Sequence, residues 1–595
     1  MNPTSNILER IYQNSKQHPN GVFTRLYRYL LREDIYFMAY QKLYANKGSV
    51  TKGTDNDTVN GFGKDYVNEL IEELRNGIYR PKPVRRKYIQ KKNKKLRPLG
   101  IPSFRDKLLQ EAIRMILEVI YEPLFYDQSH GFRPERSCHT ALAQIKRDFV
   151  GVKWFIEGDI KGCFDNINHN VLLSELESKI KDSKFINIIR MFLKAGYVED
   201  FTYHGTISGT PQGGVISPIL ANIYLHGLDR KIMELKEQFD QPQSRSQTPE
   251  YTRLHYKKMR LKKKIEATEG EEREKLLEGL KELDKQMLKT PAKCEDDKKI
   301  VYCRYADDFL IGVCGDKSDC EKLKADLKMF LKTEYSLELS EEKTCITHSA
   351  EKVRFLGYDV AVRRSQKVKR KSNGVKQRTL NYTVELTVPL EDKVTRYLFE
   401  NSIVKQKDNG TLWPISVSHL RYLSEVDIVR KFDAQFRGIC NYYHMAANYS
   451  RLIYFQYLME YSCLKTLASK HDSTLKKTRT KYRVKEGWGI PYSTKEGEKI
   501  ARISKLSDCK NGKLCIDRDP WVYRPIKKHN LTIWSRLETK QCELCGTHSE
   551  HCKVYHAGSM KQLNPNTEWG KQMTSMRRKT LVVCEKCYEM IHSGV

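Results

Sequence analysis

Asp307 and Asp308 stand side by side in Val301-Tyr302-Cys303-Arg304-Tyr305-Ala306-Asp307-Asp308-Phe309-Leu310-Ile311, a stretch otherwise dominated by apolar and aromatic residues. Its β-branched and aromatic flanks predict a hairpin with both carboxylates at the tip. Adjacent acids in apolar surroundings repel each other unless a cation lies between them. Magnesium meets that need, since it takes one or two carboxylates and completes its shell with water and phosphate oxygens. A two-metal phosphoryl-transfer site requires carboxylates converging from different strands. A third is offered by Trp154-Phe155-Ile156-Glu157-Gly158-Asp159-Ile160-Lys161-Gly162-Cys163-Phe164-Asp165, where an apolar run ends at Asp159 and Phe164 follows toward the same cleft. Taken alone, an Asp-Asp pair reads as a solvated turn.

The elements that must position these acids come from a chain of 595 residues, long enough for several domains. Lys and Arg number 106 against 74 Asp and Glu, a net charge of +32 spread along most of the chain, which points to a long polyanion as partner. No window has the apolar length of a signal peptide or membrane span, so the expectation is a cytoplasmic protein without a membrane partner. Phe23–Arg32 has the pattern of a basic amphipathic helix, with Leu26, Tyr29 and Leu30 inward. Pro83–Pro102 reads as two short strands around a basic turn, and Asp106 opens a helix. Gly209-Thr210-Pro211-Gln212-Gly213-Gly214 is a loop able to approach a ligand closely, and Ser217-Pro218 starts the helix behind it. Residues 237–299 are charged and predict a helical hairpin about Gly270, with Thr268 and Glu271 as a capping box. Leu337–Thr344 and Val353–Tyr358 are expected to complete the sheet that carries the acids. Of 16 cysteines, Cys542, Cys545, Cys584 and Cys587 form two Cys-x-x-Cys pairs suited to a closed structural zinc site, and the span between them must hold its own substructure.

The Asp159 and Asp307-Asp308 stretches together resemble the palm of a reverse transcriptase, whose active-site box is Tyr-x-Asp-Asp. Ser129-His130-Gly131-Phe132-Arg133-Pro134-Glu135-Arg136-Ser137-Cys138 and the Pro211-Gln212-Gly213 loop match further blocks of that family. The resemblance implies that Asp159 and Asp307 bind two magnesium ions, that Asp308 completes the site, and that the Phe164 ring blocks a ribose 2′-hydroxyl and so selects dNTPs. It makes Lys94 and Arg97 candidates for the nucleotide triphosphate, turns Gln212 toward the nucleotide, and makes Phe355, Leu356 and Gly357 a primer grip. Between 390 and 485, Arg437–Tyr443 and Tyr461–Lys470 resemble the thumb or X domain of maturases encoded within group II introns, which narrows the family. The implied function is DNA synthesis from a DNA primer on an RNA template, coupled to splicing of a group II intron RNA and its insertion into target DNA. Association with the nucleoid when target-bound and homodimer formation are part of that expectation. The alternative is a splicing factor without polymerase activity.

The resemblance also places an HNH nuclease between the two cysteine pairs, with a His-His pair supplying a metal ligand and a general base. Here Tyr555-His556 stands in place of His-His, and Cys587-Tyr588 in place of Cys-His. His556 remains as nuclease base and His592 as nuclease metal ligand, but phenols are poor ligands for a hard cation near neutral pH. The expectation is a zinc-folded module whose DNA cleavage is weak or lost. The whole is expected to be multidomain α+β with a right-hand polymerase, an antiparallel palm sheet, a helical thumb and a small zinc-bound ββα module. The expected divisions are a basic helical extension over 1–60, fingers and first part of the palm over 61–236 and the charged insertion over 237–299. The second part of the palm follows over 300–389, the thumb over 390–485, a DNA-binding region over 486–540 and the zinc module over 541–595.

Overall fold

The computed structural model describes residues 3–593 apart from 47, 91–95, 200–201, 207, 211–212, 242–246, 291–297, 366–367, 371–373, 375, 379–380, 486, 495–496, 511–532 and 561–562. At its centre lies an antiparallel sheet of β1 (Trp154–Asp159), β2 (Lys299–Tyr305), β3 (Asp308–Cys314) and β4 (Ile346–His348), in the order β2-β3-β1-β4. Successive residues of a strand face opposite sides. Ile300, Tyr302, Phe309, Ile311 and Val313 therefore enter one core with the N-terminal helices, while Val301, Cys303, Leu310 and Cys314 enter a second core shared with the helical domain beyond residue 390. Burial on both faces explains why the hairpin reads as an unbroken apolar run rather than an alternating one.

The predicted pair of strands over Pro83–Pro102 is present as an antiparallel ribbon of Val84–Gln90 with Leu96–Ile101. The predicted insertion is two helices, Pro249–Glu266 and Glu271–Lys289, packed against each other. Its capping box does not form, because the Thr268 hydroxyl donates to the Lys264 carbonyl at 2.7 Å and Gly270, at φ +76°, takes the cap position. Phe23–Arg32 is not one helix either. The Phe23 amide donates to Lys179 O, pairing this stretch with Ile180, and Arg25 is left-handed at φ +56°, so only Tyr27–Leu31 winds into a 3-10 turn.

Two palm expectations also need correction. Leu337–Thr344 is no strand: Leu339 makes a single bridge to Ile160, Ser340 donates to the Asp159 carbonyl, and the chain then turns back on itself. Val353–Tyr358 leaves the palm, forming β5 (Val353–Phe355) and the start of β6 (Tyr358–Val362), which pair with each other, and β6 pairs in turn with β7 (Val384–Thr387) in a separate sheet against the thumb. The thumb packs helices Glu425–Tyr442 and Leu452–Lys470 together and carries a short ribbon, Val404–Gln406 with Leu412–Pro414. Past residue 540, β8 (Lys553–His556), β9 (Thr580–Val583) and helix Glu585–Ser593 make a ββα unit. Phe62–Gly63 adds a third strand to it by pairing with Val554 and Lys553, and Cys552, Val554 and Val582 share one core with Phe37 and Phe62. Among the described residues no helix is long and apolar enough to cross a membrane.

Candidate functional site

The strand register brings the acids together. Asp159 pairs directly with Asp308 across β1 and β3, and Asp308 pairs with Tyr305 across the hairpin, leaving Ala306-Asp307 as the turn. Like charges directly opposite each other in a sheet are destabilising. Burial raises the pKa of Asp307, with Asp159 adding to the rise, while Arg97 and Lys343 oppose it. The Asp308 side chain opens to solvent at the cleft mouth, yet partial burial of its carboxyl, reinforced by Asp307 and Asp159, pushes it up to about 6. The Lys343 ammonium lies 2.9 Å from Asp159 Oδ2, delivered there by the turn that replaces the predicted strand. Asp308 meets Asp159 across the strands and feels the charge of Asp307, and carboxylates with only partial compensation are donors of the type that suits divalent cations.

Behind the acids, Arg304 and Asp229 are a fully buried ion pair, both with 0% side-chain exposure. Arg304 Nε and Nη2 donate to the two Asp229 oxygens at 2.7 and 2.6 Å, and Tyr302 OH donates to the same carboxylate at 2.7 Å. The remaining donors go to Ser129 Oγ at 2.8 Å, Asn222 Oδ1 at 3.3 Å and the Ala306 carbonyl at 2.9 Å. The last of these anchors the turn that carries Asp307. Gly131 presses on the same turn: a Cβ there would lie 2.3 Å from the Ala306 nitrogen. Ala306 is itself left-handed, at φ +57°.

Arg97 lies on the fingers ribbon and acts electrostatically on Asp307, while Lys94 and Gln212 fall outside the described residues. The loop following Gln212 is held close to the ribbon, since Gly213 is at φ +117° and a Cβ there would meet Gly100 O at 2.6 Å. Phe164 is half-buried, its ring edge-on to Phe132 at 6.4 Å, and its carbonyl accepts from the Thr210 amide at 2.7 Å. A cavity of about 370 Å³ opens between ribbon and loop, lined by Arg86, Pro98, Gly100, Asp165, Gly209 and Thr210 among others. Phe355 is buried, and Leu356-Gly357 form the tight turn between β5 and β6. Tyr442 OH donates to Leu356 O at 2.6 Å and Tyr443 OH to Gly357 O at 3.1 Å, so the turn is tied to the thumb.

In the C-terminal unit the sulfurs of Cys542, Cys545, Cys584 and Cys587 lie within 4.8 Å of one another, and Cys545 and Cys584 are 3.8 Å apart. Four thiolates at about 2.3 Å from one central ion have a mutual separation of about 3.8 Å, so the donors fit a tetrahedral metal. The histidines are arranged differently. His592 packs against the Tyr588 and Tyr555 rings at 4.6 and 5.8 Å, and its Nε2 lies 2.9 Å from the Asn60 amide nitrogen. His556 turns toward Tyr44, is 7% exposed, and neither ring nitrogen makes a well-formed hydrogen bond. Burial, then Lys579, holds its pKa below the usual value. His551 faces Asp65 at 2.9 Å.

Sequence reasoning missed Asp229, Arg304, Lys343 and Asn60. One signal was available: an arginine inside an apolar strand must find a buried partner.

Comparison with known families matches residues 89–246 and 278–360 to reverse transcriptase (RNA-dependent DNA polymerase), 381–512 to type II intron maturase, and 542–588 to an AI2M/AI1M-like HNH endonuclease. The break in the first match falls within the inserted helical hairpin. The group II intron-encoded protein LtrA of Lactococcus lactis subsp. cremoris is 49% identical over 598 residues, covering 99% of each chain. A 91 kDa protein in the cob intron of Schizosaccharomyces pombe is 35% identical, covering 99% of this chain and 72% of that one. A COX1/OXI3 intron 1 protein of Saccharomyces cerevisiae is 33% identical, covering 94% and 68%.

Proposed function

The chain belongs to the group II intron-encoded proteins, and we propose that the acid cluster at the end of the palm sheet is its polymerase site. The protein is an RNA-directed DNA polymerase and a maturase, serving both splicing and mobility of its intron. The observation that carries the site assignment is the Asp159–Asp308 register with Asp307 in the adjoining turn. Asp159, Asp307 and Asp308 would hold two magnesium ions, which when bound neutralise the dNTP triphosphate and favour the attacking primer oxygen. Arg97 and Lys94 add positive charge from the fingers, and Gln212 meets the nucleotide from its loop. The Phe164 ring excludes an oxygen at ribose C2′. The Phe355-Leu356-Gly357 turn, fixed by Tyr442 and Tyr443, bears on the primer strand. Intron RNA is held by shape, phosphates and 2′-hydroxyls, and preferential binding to the active RNA fold promotes splicing.

Primer extension on an RNA template with magnesium and dNTPs tests the site, with Asp307→Ala/Asp308→Ala as control. Extension by the parent chain and none by the variant is expected. A well-folded parent chain that splices its intron but does not extend would make it a splicing factor only.

For the C-terminal unit, the four cysteines would hold zinc, and DNA cleavage is weak or lost. Tyr555 and Tyr588 at the ligand positions, the engagement of His592 by Asn60 and the burial of His556 support this reading. Insertion would then draw its primer from a nascent strand at a replication fork. Metal-dependent nicking of target DNA by the parent chain, abolished by His556→Ala, would overturn it.

A further inference from the structure

Phe132 is held in a conformation that costs energy twice. Its backbone is left-handed at φ +56°, a region that Gly and Asn enter easily and a bulky residue rarely. Its ring is 50% exposed, although large rings normally bury their area. The flanking chain enforces both. Ser129 bridges to Arg304, the His130 amide donates to the Arg304 carbonyl at 2.9 Å, and Gly131 packs on Ala306 beside the acids. On the other side Arg133, 4% exposed, donates to the Tyr126 and Ser129 carbonyls at 2.7 Å each and pairs with Glu122 at 2.8 Å. Strain that is over-determined in this way clusters where a site needs a rigid surface.

Here the rigid surface backs Phe164. The two rings meet edge to face, with centroids 6.4 Å apart and planes at 84°, and this is the one aromatic contact of Phe164 among the described residues. Phe164 needs such support. It sits in Cys163–Asn166, a single helical turn after left-handed Gly162 that is too short to be stable alone. The Thr210 amide fixes the Phe164 carbonyl, which anchors the backbone and leaves the side chain to its neighbours, the palm core and Phe132. Burial, then the charge of Asp307, pushes the neighbouring Cys163 thiol up to about 12, a sign that this turn lies beside the acids.

We infer that Phe132 is a positioning residue for sugar selection: it buttresses the Phe164 ring, so that a ribose 2′-oxygen cannot push the ring aside. The inference rests on the reading of Phe164 as the ring that excludes that oxygen. A ring against C2′ discriminates only as far as it resists displacement. A ring free to tilt makes room for the oxygen and loses the clash, whereas a ring packed against a fixed edge transmits the strain and keeps it.

The test is extension of a DNA primer by a single nucleotide opposite a template uridine, using the full chain and comparing kcat/KM for dATP and ATP. Phe132→Asn removes the ring with a residue that tolerates the left-handed backbone, and should lower the preference for dATP about fivefold, the worth of one edge-to-face contact. The change should come mainly from better use of ATP rather than poorer use of dATP. Phe132→Tyr keeps the ring and should keep the preference. Phe164→Val should remove most of the preference by itself, and adding Phe132→Asn to it should then change nothing, because the two rings act as one unit. A parental preference in Phe132→Asn alongside a collapsed one in Phe164→Val overturns the inference. So does an equal loss with both nucleotides, which would make Phe132 a residue of the fold only. A Phe132→Asn effect that persists in the Phe164→Val background overturns it as well, by giving Phe132 a direct contact with nucleotide or template. If Phe164→Val keeps the parental preference, the reading of Phe164 falls and the inference falls with it.

Discussion

Removing Arg304 should cost more than any exposed charge in the palm, and removing Asp229 with it should give most of that back. Arg304→Met leaves the Asp229 carboxylate at 0% exposure with Tyr302 OH as its remaining donor from this network, and strips Ser129 Oγ and the Ala306 carbonyl of theirs. An uncompensated buried charge of this kind costs about 3–5 kcal/mol. Asp229→Leu strands the guanidinium and falls in the same range. In Arg304→Met/Asp229→Leu the pair leaves together and residues of similar bulk fill the space, so the coupling energy of the cycle should be about 3 kcal/mol or more. A multidomain chain does not unfold as one unit, so the readout is amide exchange in the β2–β3 hairpin under increasing urea. Activity should not recover with stability, because the double variant still lacks the donor that fixes the Ala306 carbonyl beside Asp307. A 1 Å misplacement of reacting groups costs about 100-fold in rate, and a fall of that order in kcat with little change in KM is expected. Coupling below about 1 kcal/mol, or a double variant with parental kcat, would show that the pair neither carries the fold here nor positions the turn.

Gly131→Ala should act on the same turn from the other side. With its Cβ 2.3 Å from the Ala306 nitrogen, it should lower kcat about 100-fold while leaving the far-UV spectrum unchanged, and normal turnover would refute the contact. Asp308→Asn should stabilise the metal-free protein in a pH-dependent way. A carboxyl raised from 3.8 to about 6 holds its proton better folded than unfolded, so its penalty is absent below 3.8, grows through 6 and is full above. At 1.36 kcal/mol per unit the ceiling is about 3 kcal/mol, and solvent at the open side chain reduces it to about 1. A difference in amide-exchange protection of the β2–β3 hairpin between variant and parent that does not widen from pH 4 to pH 7.5, or that magnesium fails to shrink, would refute this. Chelation or Cys584→Ser should speed amide exchange at Phe62-Gly63 as well as at Lys553–His556, since those strands pair; exchange at Phe62-Gly63 that stays slow would mean the four-cysteine unit does not support the fingers.

The acid cluster was legible because strands announce their ends. An apolar run stopping at Asp159 and another folding back at Asp307-Asp308 leave few registers, and burial of both faces selects the one in which Asp159 meets Asp308. What lay behind the cluster was not legible. Asp229 sits 75 residues before Arg304 in a helix that reads as ordinary, and only the fold sets them face to face. Lys343 was hidden differently: its segment has the composition of a strand, but bonding of Ser340 to the Asp159 carbonyl turns it and swings the ammonium onto the acids. The Phe62–Gly63 strand is two residues long, too short for any period to show.

That short strand bears on what the C-terminal unit does. Its sheet edge is completed by the fingers, its apolar residues Val554 and Val582 lie in the same core as Phe37 and Phe62, and the Phe37 and Trp534 rings stack at 6.1 Å. A unit attached this way cannot swing its histidines toward a DNA strand without giving up a sheet edge and part of a core. Nor is the candidate pair poised where it stands, with His592 facing two phenols and Asn60 while His556 faces Tyr44. The four-cysteine cluster retains a complete donor set beside β8 and β9, which pair with each other. On the reading proposed for it, the unit also braces the polymerase through this shared sheet and core. On that view its removal should weaken template-dependent synthesis even on substrates that need no cut. A truncation ending at residue 540 that copies RNA at the parental rate and keeps the parental amide-exchange protection around Phe37 and Phe62 would refute it.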